Sequence, residues 1–216
     1  MHGGGMQRKQ YITSLLFVHF MFVLVVFGSH AGAAAQPDPT EQLRPFLAKV
    51  TATLSEPELK SMTKQEQSAR MVSVIRERFD FREMSKRVLG QQWRSLTEKE
   101  QEEFEHLFTQ LLQYAYVGKV DDYSGQQVQF GQQRIKGDRA EVQTFLVDKN
   151  KSIPISYIAL QRNDQWMIYD VVVEGVSLVR NYMEQFTAIL RTDGYSGLVR
   201  QMKDKVADLE KNFIRN

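Results

Sequence analysis

The sequence predicts an α+β domain of helices, then an antiparallel meander, then helices again. Three observations point there. Apolar residues recur every three or four positions between Leu43 and Ala115, and again between Val179 and Phe213. Between those stretches lie short runs with apolar alternation, punctuated by Gly137-Asp138, Asn150 and Asn163-Asp164. No internal repeat, low-complexity tract or long linker separates the parts, so a single domain is expected.

The N-terminus stands apart from that domain. Met6-Gln7-Arg8-Lys9-Gln10 is basic, Tyr11 to Phe27 is apolar, and Gly28 to Ala35 is a small-residue stretch ending in Ala-x-Ala. This is the order of a secretory signal peptide, cleaved after Ala35. The alternative is a retained anchor, because the apolar run approaches the ~18 residues of a membrane-spanning helix. In either case the rest of the chain, 36–216, lies outside the cytoplasm.

The remaining elements follow in order. Leu43, Phe46, Leu47, Val50 and Leu54 share a helical face, with Pro45 expected near the helix start and Glu56-Pro57 as the break. Thr63 with Glu66 reads as a capping box, followed by Ala69, Val72, Ile75 and Phe79 on one face. Phe81 to Leu89 forms a short helix capped by Gly90. Thr97 and Glu100 open a longer helix, whose face carries Phe104, Leu107, Phe108, Leu111, Leu112 and Ala115.

Strands are expected over Gln127 to Ile135, Arg139 to Asp148, Ile153 to Gln161 and Gln165 to Val173, about four in all. Both parities of the later strands are apolar. Ile153, Ile155 and Tyr157 lie on one face, Ile158 and Leu160 on the other. Two closing helices follow: one ends at Asp193-Gly194, the other is capped by Ser196 and carries Leu198, Met202, Val206, Leu209 and Phe213.

Composition removes several functional classes. The chain has 216 residues and no cysteine, which excludes disulfides, thiolate metal sites and cysteine nucleophiles. Of its 28 basic side chains, Arg8 and Lys9 lie in the leader, so the exported part carries 26 basic against 26 acidic groups. A nucleic-acid binder needs a basic excess, and none is present. His106 is the only histidine beyond the leader and sits beside Glu102 and Glu105 on the polar side of its helix. A Ser-His-Asp set, HExxH and His-rich metal sites are therefore not expected. Asp170 lies within an apolar strand beside Tyr169. It is either a buried acid available for proton abstraction or a cap for the next chain reversal. The surplus apolar strand face suggests a cavity for a greasy ligand, against the alternative of a fully packed core.

The run Tyr169-Asp170-Val171-Val172-Val173-Glu174-Gly175-Val176-Ser177-Leu178-Val179, with Asn181-Tyr182, Gln185-Phe186, Gly194 and Leu198, resembles the signature of the MlaC/toluene-tolerance auxiliary family of periplasmic phospholipid-binding proteins. Val88-Leu89-Gly90-Gln91-Gln92-Trp93-Arg94, the pattern Phe104, Phe108, Leu111-Leu112 and Tyr116, and Trp166 are similar to other family segments. The similarity runs from about Gln65 to Lys211. One departure is Met183, where many members carry arginine.

The resemblance implies a nuclear-transport-factor-2-like cone: a curved, mostly antiparallel sheet of about four strands and six or seven helices around an apolar pocket. It implies a non-enzymatic shuttle that moves phospholipid between an inner-membrane ABC lipid transporter with its substrate-domain ring and an outer-membrane lipoprotein–porin complex, maintaining outer-membrane lipid asymmetry. No cofactor is expected, since bound phospholipid is cargo. The pocket expected on this reading is lined by Val142, Thr144, Tyr157, Ile168 and Val171 from the sheet, with Phe108, Leu112, Val176 and Val179 from the helical side. No arginine cluster for phosphate is evident, so weak head-group selectivity is expected. The competing readings are an isomerase or dehydratase of the same architecture, using Asp170 with Tyr169 or Tyr157, and a non-catalytic envelope interaction module.

Overall fold

A computed structural model describes residues 37–116, 125–149 and 151–215 of the chain. The expected leader at 1–35 and the turn at Asn150 lie outside the described residues. The first helix, α1 (Pro39–Ser55), starts six residues ahead of Pro45. Asp38 caps it, its side chain accepting from the Glu41 amide, and Pro39 takes the first-turn position where a missing N–H costs nothing. Pro45 is instead inside the helix. Glu56 ends α1, and Pro57 opens the single-turn α2 (Pro57–Ser61).

Helix α3 (Lys64–Arg76) has the expected reciprocal capping box between Thr63 and Glu66. Its buried face is rotated from the one expected: Gln67, Ser68, Met71 and Val74 are buried, whereas Ala69 is exposed. The reason is polar. Ser68 accepts a bond from Gln113, and Gln67 donates to the Met62 carbonyl, so that side of α3 turns inward without stranding a polar group. Helix α4 (Phe81–Leu89) ends at Gly90, where φ is +56°. A 3₁₀ segment (Gly90–Ser95) leads to α5 (Glu98–Tyr116), opened by the expected Thr97–Glu100 bonds.

The sheet has five antiparallel strands in sequence order: β1 (Gln127–Lys136), β2 (Arg139–Asp148), β3 (Lys151–Arg162), β4 (Gln165–Val173) and β5 (Val176–Ser177). The fifth, two residues long, is too short to leave an alternation signal. Bulges interrupt β1 between Phe130 and Gln133 and the β3–β4 pair beside Ile158, where Tyr169 is the extra residue. Such bulges bend a strand and strengthen its twist.

The last element, α6 (Leu178–Arg215), is two helical arms, 178–193 and 195–215, broken at Gly194 with φ +67° and ψ −174°. The corner is tight at Gly197, where an added Cβ would lie 2.3 Å from the Asp193 Cβ. The expected stop at Asp193-Gly194 is therefore a bend between two arms.

Two cores flank the sheet. One packs Leu43, Phe46 and Leu47 of α1 and Val74 of α3 against Ala140, Val142, Ala159, Trp166 and Ile168. The other gathers α4, α5 and both arms of α6 against Leu160 and Tyr169. In it Phe104, Phe108, Tyr182 and Phe186 form an aromatic cluster with centroids 5.2 to 6.0 Å apart. Alternation along the strands assigns apolar side chains to both sheet faces, and each face receives its own helical layer.

Candidate functional site

The two ends of the α1-facing sheet surface differ. Register places Ala140, Val142, Thr144 and Leu146 of β2 on one face with Ala159, Tyr157, Ile155 and Ile153 of β3. Val171 and Val173 of β4 and Val128 and Phe130 of β1 continue that face. Near the Asn163-Asp164 turn it is sealed. There α1 is tied down by Gln42, which accepts from the Trp166 amide and donates to the Asp164 carbonyl. The Trp166 indole N–H also donates to the Pro37 carbonyl. Ala140, Val142, Ala159, Trp166 and Ile168 are consequently fully buried.

Toward the other end the helical cover thins. Leu146, Ile153, Ile155, Tyr157 and Val171 are only half-buried, Val173 is 41% exposed, and Val176 on β5 is 59% exposed. An apolar surface spanning several strands therefore continues past the helices that cover its base. A monomer rarely leaves such a surface without a use for it.

Tyr157 sits in the middle of that surface. It is half-buried, and burial pushes its phenol up to about 12, with its hydrogen bond to Thr144 opposing the shift. In register it lies between Val142 of β2 and Val171 of β4. Beside it Thr144, itself fully buried, donates to the Ile155 carbonyl at 3.2 Å, so its hydroxyl adds no unsatisfied polarity to the floor.

Five of the nine residues expected to line a pocket meet on this face: Val142, Thr144, Tyr157, Ile168 and Val171. The structure does not bring the other four there. Phe108, Leu112 and Val179 belong to the second core, on the far side of the sheet. Val176 pairs with Val173 at the sheet margin and is largely exposed. The periodicity of α5 identifies a buried face without saying which core it enters. Ile153 and Ile155 were missing from the expected set, although their shared parity with Tyr157 placed them beside it.

The acidic candidate has a structural task. Asp170 accepts from the Ser177 hydroxyl through one carboxylate oxygen at 2.6 Å and from the Val179 amide through the other at 3.0 Å. Ser177 in turn accepts from the Arg180 amide. Asp170 thus caps the start of α6, and Tyr157 points from the opposite sheet face. Tyr169 accepts from the Arg139 guanidinium, and Arg87 stacks 3.9 Å over its ring. Tyr157 therefore shares no face with Asp170, and both carboxylate oxygens of Asp170 are already engaged. His106 is exposed, and no cluster of potential metal ligands occurs among the described residues.

Comparison with known proteins gives the family and the fold. A family model described as the MlaC protein matches residues 46–204. A curated relative from Haemophilus influenzae, the intermembrane phospholipid transport system binding protein MlaC, is 24% identical over 127 residues, covering 56% of this chain. The match spans 59% of that relative's length. The solved structure of a phospholipid-binding protein from Ralstonia solanacearum, in complex with a phospholipid, has the same fold: TM-score 0.74 at 23% identity over 80% of this chain and 99% of that one.

Proposed function

The chain belongs to the MlaC family, and from that premise we propose that it is a periplasmic phospholipid carrier whose cargo chains lie on the half-covered sheet face between Val142 and Val173. The observation that carries the reading is the apolar sheet face itself, where Leu146, Ile153, Ile155, Tyr157 and Val171 are only half-buried and Val173 is 41% exposed. The names of the relatives, one a phospholipid transport component and one solved with a phospholipid, favour the same cargo.

The physical task is to hide hydrocarbon. At ~0.8 kcal/mol per buried CH₂, two acyl chains of about fifteen methylenes each represent roughly 24 kcal/mol of exposure to water. A carrier must bury nearly all of that. Loading is then close to neutral relative to a bilayer, and partner proteins decide direction. The partners on this reading are an inner-membrane ABC transporter with its substrate-domain ring and an outer-membrane lipoprotein–porin complex. Residues 1–35 export the chain and are removed, leaving 36–216 as one lipid-binding domain. The carrier is not an enzyme and needs no cofactor. The placement of Asp170 as a helix cap supports that choice over an isomerase or dehydratase.

Native mass spectrometry of the mature protein purified from cell envelopes tests the proposal. One phospholipid mass per chain is expected, and its loss in an Ile155→Arg variant that keeps its thermal unfolding. A lipid-free protein, or cargo retained in full by that variant, would overturn the assignment.

A further inference from the structure

The sheet ends on β1, which among the described residues has a strand partner on one side only. An open strand edge is a row of unpaired backbone donors and acceptors, and proteins usually blunt it. The bulge between Phe130 and Gln133 does so for the first half of β1. The second half, 133–136, keeps regular pairing with β2 and is exposed along its whole length.

The same corner of the sheet gathers positive charge. Lys136 stands directly opposite Arg139, and Arg139 opposite the core residue Leu160, so both cations lie on the face away from α1. Arg162, two residues past Leu160, shares that face, and α4 adds Lys86 and Arg87. Carboxylates are scarce there. Lys86, Arg87 and Arg162 all turn to the buried Glu83, and Arg162 also approaches Asp80 at 4.0 Å. The other acids nearby are Asp138 in the turn and Glu141, which stands opposite Arg134. Arg139 spends its bonds on the Tyr169 hydroxyl, and neither it nor Lys136 has an ion-pair partner among the described residues. Like charges directly opposed weaken a strand pair, so this corner gains from an anion set beside it.

We infer that the 133–136 edge of β1 docks an extended, acid-bearing segment of a partner protein. The segment adds a strand beside β1 and sets its carboxylates opposite Arg134 and Lys136, within the field of Arg139. Two separate features call for this occupant: the open edge needs a backbone, and the unanswered cations need acids. An anionic membrane would meet the charge alone and leave the strand edge unpaired. The surface is also distinct from the proposed cargo cleft, because its cations lie on the opposite sheet face.

Fluorescence anisotropy of the mature protein with a capped, labelled octapeptide of alternating glutamate and threonine tests the inference, with the glutamine counterpart as the neutral probe. Saturable binding of the glutamate peptide is expected, weakening as salt rises. Hydrogen exchange at the 133–136 amides should slow when it binds. Lys136→Glu, at an exposed position, should weaken binding roughly tenfold and leave thermal unfolding unchanged. No saturable binding, equal affinity for the glutamine peptide, or protection that falls outside β1 would overturn the assignment. So would binding of phosphatidylglycerol vesicles through Lys136 with none of the peptide, which would make the patch a membrane contact instead.

Discussion

Tyr157 and Asp170 lie on neighbouring strands and face opposite sides of one sheet, and their tasks divide accordingly. Asp170 spends both carboxylate oxygens on Ser177 and Val179. An Asp170→Asn change keeps the shape and loses the charge-assisted acceptor, so it should cost about 1–2 kcal/mol of stability, read from thermal or denaturant unfolding. Bound phospholipid should be unaffected, because that carboxylate lies on the opposite face of the sheet. Tyr157 predicts a pH effect. Its phenol titrates near 10 when unfolded and at about 12 when folded. A raised pKa means that the folded state holds its proton longer, so the stability tied to this group is complete below pH 10 and is lost as pH rises toward 12. Tyr114 and Tyr195 shift the same way, also chiefly through burial. Tyr157→Phe should flatten the fall in melting temperature between pH 10 and 12 without abolishing it. An unchanged alkaline profile would show that the phenol is not desolvated.

The elements differ in how plainly the sequence announces them. Capping chemistry was legible: Thr63–Glu66, Thr97–Glu100 and Gly90 all mark the boundaries the structure has. Strand limits were equally clear at β2 and β4, because turn residues with positive φ, Gly137 and Asn163-Asp164, delimit them. Asp38-Pro39 also carries a helix-start signal, yet Pro45 drew the expected start inward; tertiary packing keeps a proline inside α1 that local preference would exclude. The face of α3 could not be read from apolar spacing, since two buried polar residues, Gln67 and Ser68, turn it. The α6 corner gives the sharpest prediction for an element. Gly197→Ala places a Cβ 2.3 Å from the Asp193 Cβ, where no flexible side-chain end can yield. About 2 kcal/mol of destabilisation is expected. A variant as stable as the parent would mean that the two arms can open at Gly194 without loss.

For the molecule as a whole, strand parity made one face of the sheet legible. Val142, Thr144, Tyr157, Ile168 and Val171 are near neighbours in the sheet because alternate residues must share a face. The helical half was not legible, since Phe108, Leu112 and Val179 have the same apolar spacing whether they line a cleft or fill a second core. Separate helical layers on the two faces leave one end of the α1-facing apolar surface half-covered, and the proposed cargo chains would cover it. Photo-crosslinking with a phospholipid carrying a diazirine near the end of an acyl chain, followed by peptide mapping, tests this most directly. The account predicts labels concentrated on 146–157 and 171–173. Labels confined to α5 and α6, with none on the sheet, would contradict it.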